Sequence, residues 1–183
     1  MTELEILYAK EGFTFAKHAT NQYSLRFAIT NDHMVLTKIV DFPLIKLIYD
    51  LNTDIYEYAH LTVINEQEAT INLLMRHLFE DLGLPQRFSY LHVKKTAIDQ
   101  CIQFTCTTIR SERPAQMPPD AELMPIQTMS CICRGYTNHR MECEMRVHFD
   151  DSMRVPAVAE KMVGMILFKI FKRVKQFIED VRI

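Results

Sequence analysis

The 183-residue sequence has no tryptophan, only four glycines, no excess of basic charge and no long apolar run. Each absence removes a class of function. Its longest apolar runs are much shorter than the roughly 20 residues a helix needs to span a bilayer, so no membrane-crossing segment is expected. With 21 Lys and Arg against 23 Asp and Glu, the net charge of -2 lacks the basic footprint of a nucleic-acid binder. Few glycines go with the lack of a Gly-rich phosphate loop. G-x-S-x-G and H-E-x-x-H are missing as well, so no catalytic motif is in view. No apolar signal segment follows Met1, and the cysteines number five, an odd count. A reducing, cytoplasmic setting with free thiols is expected.

What is present is an ordinary globular composition, 48% hydrophobic and 24% charged, long enough for one domain over residues 1–183 with a sizeable core. Eleven methionines supply flexible, polarisable filler, suited to an irregular apolar surface and equally to a plain core.

The last sixty residues are the most explicit. Met141, Cys143, Met145, Val147 and Phe149 alternate with Glu142, Glu144, Arg146 and His148, which predicts a half-buried strand in a hairpin over Met124–Asp150. Val163, Leu167, Ile170, Val174, Phe177 and Val181 then recur every three or four residues, predicting a long helix over Val155–Ile183 with one apolar stripe. That stripe must lie on something, and the sheet is the natural partner.

Earlier in the chain, Leu4–Ala9 and Phe13–Ala16 read as short extended pieces. Tyr23–Ile29 and Met34–Val40 read as a hairpin about the polar turn Thr30–His33. Asp41 with Pro43 predicts a helix start, and Asn52–Asp54 divides that helix from a second short one at Ile55–Tyr58. Residues His60–Phe79 admit two readings. Asn65 and Glu68 form a capping box before a helical stripe, or they sit in the turn of a hairpin; local signals favour the helix. Strands resume at Phe88–Lys94 and Cys101–Arg110, and Ser111–Pro125, with four prolines, reads as an extended excursion. Asp150-Asp151, with Ser152 as competitor, is the expected N-cap of the last helix.

In this order of elements the chain resembles the START (StAR-related lipid transfer) domain family, with its helix-grip, SRPBCC-like architecture. The resemblance is carried by Glu11–Phe15 with Tyr23–Ile29, Phe42–Asp54, Leu61–Glu66 and Gln86–Tyr90. Ser111–Pro114 with Pro118-Pro119, Phe149–Asp151 and Val155-Pro156 extend it. It implies an α+β fold, a curved antiparallel sheet wrapped around the long C-terminal helix with two short helices after the first strands. It also requires strands within His60–Phe79, against the local signal.

The resemblance further implies an apolar cavity between sheet and helix, holding a lipid ligand (phospholipid or sterol) without chemical conversion. Expected lining residues are Met75, Phe88, Tyr90, Phe104, Cys106, Cys131, Cys133, Met141, Cys143, Met145 and Val147 from strands, with Val163, Leu167, Ile170 and Val174 from the helix. His77, His92 or Arg134 would be an inward polar anchor. Met165, Phe168, Lys169, Lys172 and Arg173 form a candidate contact with a transient membrane surface. Cys131-x-Cys133 with Cys143 is read as core thiols, since strand spacing is not a Cys-x-x-Cys turn and no fourth ligand is evident, so neither metal nor cofactor is expected. A packed protein-interaction module is the alternative to lipid binding, and a helix-grip enzyme acting on a small hydrophobic substrate is the third reading.

Overall fold

The computed structural model describes residues 4–153 and 155–182. Its strands are β1 (Glu5–Lys10), β2 (Phe13–Ala19), β3 (Gln22–Thr30), β4 (Tyr56–Asn65), β5 (Glu68–Met75), β6 (Arg87–Ile98), β7 (Cys101–Thr108), β8 (Glu122–Leu123), β9 (Ile126–Thr137) and β10 (Arg140–Phe149). The α-helices are α1 (Phe42–Asp50) and α2 (Ala157–Asp180). All strands join one curved sheet in the order β1-β2-β3-β10-β9-β7-β6-β5-β4, antiparallel except where short β8 runs beside the start of β6. The C-terminal helix lies on the concave face against β1 and β3.

The helix is drawn onto the sheet by aromatic packing. Phe13 stacks on Phe27 at 4.9 Å between ring centroids and meets Phe168 of α2 edge-on at 5.2 Å, while Phe27 lies 5.3 Å from Phe171. Such pairs add about 0.5–1.5 kcal/mol each beyond the area they bury. The approach is close because Gly164 faces β2, where an added Cβ would stand 2.6 Å from Phe15 Cδ1.

Polar tethers hold the same contact at both ends. Asn31 Nδ2, in the expected Thr30–His33 turn, donates to the Ile178 and Val181 carbonyls at 2.6 and 3.0 Å, closing the end of α2. Near the helix start, buried Glu160 accepts from Lys17 Nζ (2.7 Å) and the Tyr23 hydroxyl (2.5 Å). Midway, Arg173 and Lys169 converge on Asp54 at 2.5 and 2.6 Å.

Several local expectations are corrected by tertiary partners. Residues His60–Phe79 contain the β4–β5 hairpin, and the Asn65–Glu68 pair closes its turn. Asn65 Oδ1 accepts from Gln67 N at 2.8 Å, so the same side chains that can cap a helix here bend a strand. Tyr23–Ile29 does not pair with Met34–Val40. Instead β10 takes that edge of β3 over nine residue pairs, and Leu36–Ile39 becomes a 3-10 turn. The two short helical segments are thus this turn and α1, capped by Asp41 as expected, while Ile55–Tyr58 runs into β4. At Asp150 the carboxylate accepts from Ser152 N, bending the chain ahead of α2, whose N-cap position is Pro156.

Two measurements test how α2 is held. Both flanking cations keep the Asp54 carboxyl well below the usual carboxylate range. A depressed carboxyl stabilises the fold above its unfolded value of about 3.9 and loses that contribution as pH falls through the folded value. Asp54→Asn should therefore lower Tm by about 2–4 °C at pH 7, the effect of about 1 kcal/mol at a surface pair, with the difference shrinking below about pH 4 in thermal melts. Gly164→Ala should destabilise by about 1–2 kcal/mol in urea titrations, because overpacking against Phe15 outweighs the roughly 1 kcal/mol gain in helix propensity.

Candidate functional site

The inward side chains of the grip are closely covered at one end and partly uncovered at the other. The strand pairings Phe149 with Ile126, Met129 with Cys106, Thr108 with Leu91 and Met75 with Tyr56 mark the end where α2 begins. At the opposite end the inward side chains are shut away, Met141 at 0% and Cys133 and Cys143 at 5% exposure. Moving along the same strands toward α2's start, Cys131 and Met129 on β9 and Met145, Val147 and Phe149 on β10 are only half-buried. On the helix the pattern is mixed, since Ala159, Glu160 and Gly164 of its first half are buried as well. Ile170, Phe171, Val174 and Ile178 are buried, whereas Val163, Ile166 and Leu167 keep accessible surface.

These half-buried positions lie on the face of β9 and β10 that carries the cluster beneath α2. Met75 and Leu78 from the β5 end, and Ile48 and Tyr49 from α1, border the same apolar region.

Of the expected lining residues, Met75, Phe104, Cys106, Cys131, Cys133, Met141, Cys143, Met145, Val147, Val163, Leu167, Ile170 and Val174 all belong to the cluster between sheet and helix. Phe104, Cys106, Cys133, Met141, Cys143, Ile170 and Val174 are buried in it, and the rest are half-buried and packed against it. The structure corrects three others. Phe88, Tyr90 and His92 point to the convex face, because Leu91 and Val93 take the inward parity of β6. Phe88 is nonetheless buried there. The 111–125 excursion folds over it, with Met117 and Ala121 against the ring and the Arg113 guanidinium 4.7 Å above it. Tyr90 donates to Glu112 at 3.1 Å, and His92 lies 3.7 Å from Glu68.

None of the expected inward anchors lies on the concave side beneath the helix. His77 sits exposed beyond β5 with its Nε2 within 2.6 Å of the Leu84 carbonyl, and Arg134 lies on the convex face 3.9 Å from Glu144. Two grooves indent that convex face, one of about 330 Å³ between Tyr58, Asn72, Tyr90 and Arg113 and one of about 410 Å³ around Arg26, Arg134 and Glu144. Both are open and largely polar, unsuited to enclosing an apolar body.

Two tyrosines that sequence reasoning missed pack against the same cluster. Tyr49 on α1 and Tyr56 at the start of β4 pack edge to face at 5.0 Å. Burial pushes the Tyr56 phenol up to about 12 and the Tyr49 phenol well above its ordinary range, with Tyr56 and Cys106 as further neighbours of Tyr49. Contact with Cys133 and burial together raise the Cys131 thiol, and burial raises that of Cys106 to about 12. Neither thiol supplies a thiolate near neutral pH. Cys133 and Cys143 face each other across β9 and β10 with sulfurs 3.7 Å apart, within the sealed core.

The expected membrane-facing residues also divide. Phe168 is buried against Tyr8 and Phe13, with the Lys172 ammonium above its ring. Lys169 and Arg173 are paired with Asp54, and Lys172 with Glu11 at 2.7 Å. Met165 is exposed, in line with Val158 and Met162 on the outward side of α2's first half. Among the described residues no helix is long and apolar enough to cross a membrane.

No family model matches the sequence, and no curated protein matches it. Solved structures do. The human StarD13 (DLC2) lipid transfer and protein localization domain superposes with a TM-score of 0.73 at 6% identity, covering 99% of this chain and 91% of that one. Human StAR-related lipid transfer protein 5 gives 0.66 at 14% identity over 96% and 88% of the two chains. A STAR-related lipid transfer protein from Xanthomonas axonopodis gives 0.68 at 10% identity over 95% and 97%. At these identities the likeness is one of architecture, and the chain has the START-like, helix-grip fold.

Proposed function

We propose that this protein binds one hydrophobic lipid in the hollow under the first half of α2 and carries or senses it without chemical conversion. The carrying observation is the gradient along β9 and β10, where inward apolar side chains are sealed at one end and left partly uncovered at the other. The structural neighbours named for lipid transfer support the same reading. Enclosure is the mechanism. The apolar body of the ligand replaces water along Met129, Met145, Val147, Val163 and Leu167, and water's release drives binding.

Entry and exit run past the first half of α2. The 111–125 excursion is pinned on the convex face by Phe88 and Arg113, whereas Val158, Met162 and Met165 form an exposed apolar line beside the hollow. That line, rather than the ion-paired Lys169, Lys172 and Arg173, is the surface that meets a membrane during loading.

Incubation with mixed-lipid liposomes, re-isolation and native mass spectrometry should show one extracted lipid per chain; a protein emerging with none overturns the proposal. That outcome would favour the interaction-module reading, for which Val63, Ile64, Ile98 and Tyr136, exposed on hairpins at the sealed end, supply an apolar surface. Filling the hollow separates binding from folding. Val147→Trp should reduce extraction at least tenfold with a Tm change of only a few degrees, whereas Met141→Ala, in the sealed half, should destabilise by about 2–5 kcal/mol.

A further inference from the structure

The convex face carries a charge arrangement that neither the packing of α2 nor lipid enclosure uses. Glu144 on β10 is only 7% exposed, and three arginines converge on it. Arg26, directly opposite on β3, donates from Nε and Nη2 to Oε1 at 2.9 and 2.8 Å. Arg146, further along the same face of β10, donates from Nε to the same oxygen at 2.9 Å, and Arg134 on β9 stands 3.9 Å from Oε2. Burial alone would raise the Glu144 carboxyl, yet the hydrogen bonds from Arg26 and Arg146 leave it below its usual range, so it stays ionised. No other carboxylate among the described residues gathers three arginines.

The cluster leaves positive charge unspent. Beside it Arg140 and Glu142 face each other at 3.8 Å, so four arginines stand against two glutamates. Arg26 and Arg146 share one oxygen, which keeps like charges side by side, and a second anion laid across them relieves that repulsion. A guanidinium has five N–H donors in a planar fork. Among the described residues Arg146 spends only its Nε on Glu144 and Arg134 makes no hydrogen bond, so their terminal N–H groups are open to a ligand. The groove of about 410 Å³ between Arg26, Arg134 and Glu144 gives an anion its place, with the small residues Gly12, Thr14 and Ala28 lining the rest of it.

We infer that this groove binds a phosphomonoester from solution, its oxygens taken by the guanidinium groups of Arg26, Arg134 and Arg146. A phosphomonoester carries about two negative charges near neutral pH and three strong acceptor oxygens, which match the surplus charge and the three forks; a phosphodiester or a carboxylate brings one charge. The arginines stand on paired strands rather than on loops, so the sheet holds the cradle in shape. α2 and its exposed Val158, Met162 and Met165 lie on the other side of the sheet, so the groove faces away from that apolar line. The site is independent of what lies beneath α2.

Calorimetric titration of the full-length protein tests the assignment with three probes: glycerol phosphate, the diester glycerophosphocholine, and phosphatidylcholine vesicles containing phosphatidic acid. Glycerol phosphate should bind about tenfold more tightly than the diester. Arg134→Gln and Arg146→Gln should each weaken it by about fivefold to tenfold with little change in Tm, since both side chains are more than half exposed. Arg134→Gln removes no hydrogen bond within the protein, so it keeps the test valid should Arg146→Gln disturb the fold. Equal binding of monoester and diester overturns the phosphate class, and unchanged affinity in Arg134→Gln overturns the site. Arg134-dependent binding to the vesicles without binding of glycerol phosphate overturns the source from solution. Binding of no probe overturns the inference altogether, and lipid extraction by the same protein is untouched by any of these outcomes.

Discussion

Everything in this fold depends on how α2 lies against the concave sheet. A 24-residue helix with one apolar stripe is long enough to reach from end to end of the sheet, yet its contact is uneven. From Phe168 onward it is clamped by Phe13, Phe27 and their neighbours, and its last carbonyls are taken by Asn31. Before Phe168, Phe15 and Tyr23 still meet the helix at Gly164 and Glu160, while Met129, Cys131, Met145 and Val147 on β9 and β10 stay partly uncovered. Flexible Met and the smaller Cys and Val fill less space than rings do, so packing there is looser than in a close-packed core.

Sequence alone made the terminal hairpin and helix legible because each has a single apolar face, so the period identifies both the element and its inward side. β10 is the clear case. Met141 to Phe149 alternate without exception, and all five lie in the cluster beneath the helix. β6 was illegible for the opposite reason. Phe88 and Tyr90 on one face compete with Leu91 and Val93 on the other, and the outer set is large because the 111–125 excursion covers it locally. Period two identifies two faces; it does not say which one a distant loop will cover.

The β4–β5 hairpin and the two tyrosines show a second limit. Asn65 and Glu68 bond to the same kinds of backbone and side-chain groups whether they cap a helix or close a turn, so the choice rests with β6, which pairs β5 over seven residues. Tyr49 and Tyr56 flank Asn52–Asp54, and nothing local marks them as neighbours. Asn52 is what folds that connection, donating to the Ile48 carbonyl at 2.7 Å and accepting from Arg173 at 2.9 Å, so the tyrosine pair is positioned by the same residues that hold α2. The basic residues of α2 misled in a related way. Their helical spacing is that of a charged outer face, but acidic partners at Glu11 and Asp54, far away in sequence, neutralise it.

Both ends of α2 are held, by Lys17 and Tyr23 on Glu160 at its start and by Asn31 on its last carbonyls. Between them the Asp54 pair and the rings of Phe13, Phe27, Phe168 and Phe171 fix its second half, where removing an atom leaves a void among fixed neighbours. Val163 and Leu167, the partly uncovered positions of the stripe, lie between these two sets of contacts, so any local opening there leaves both ends of the helix in place.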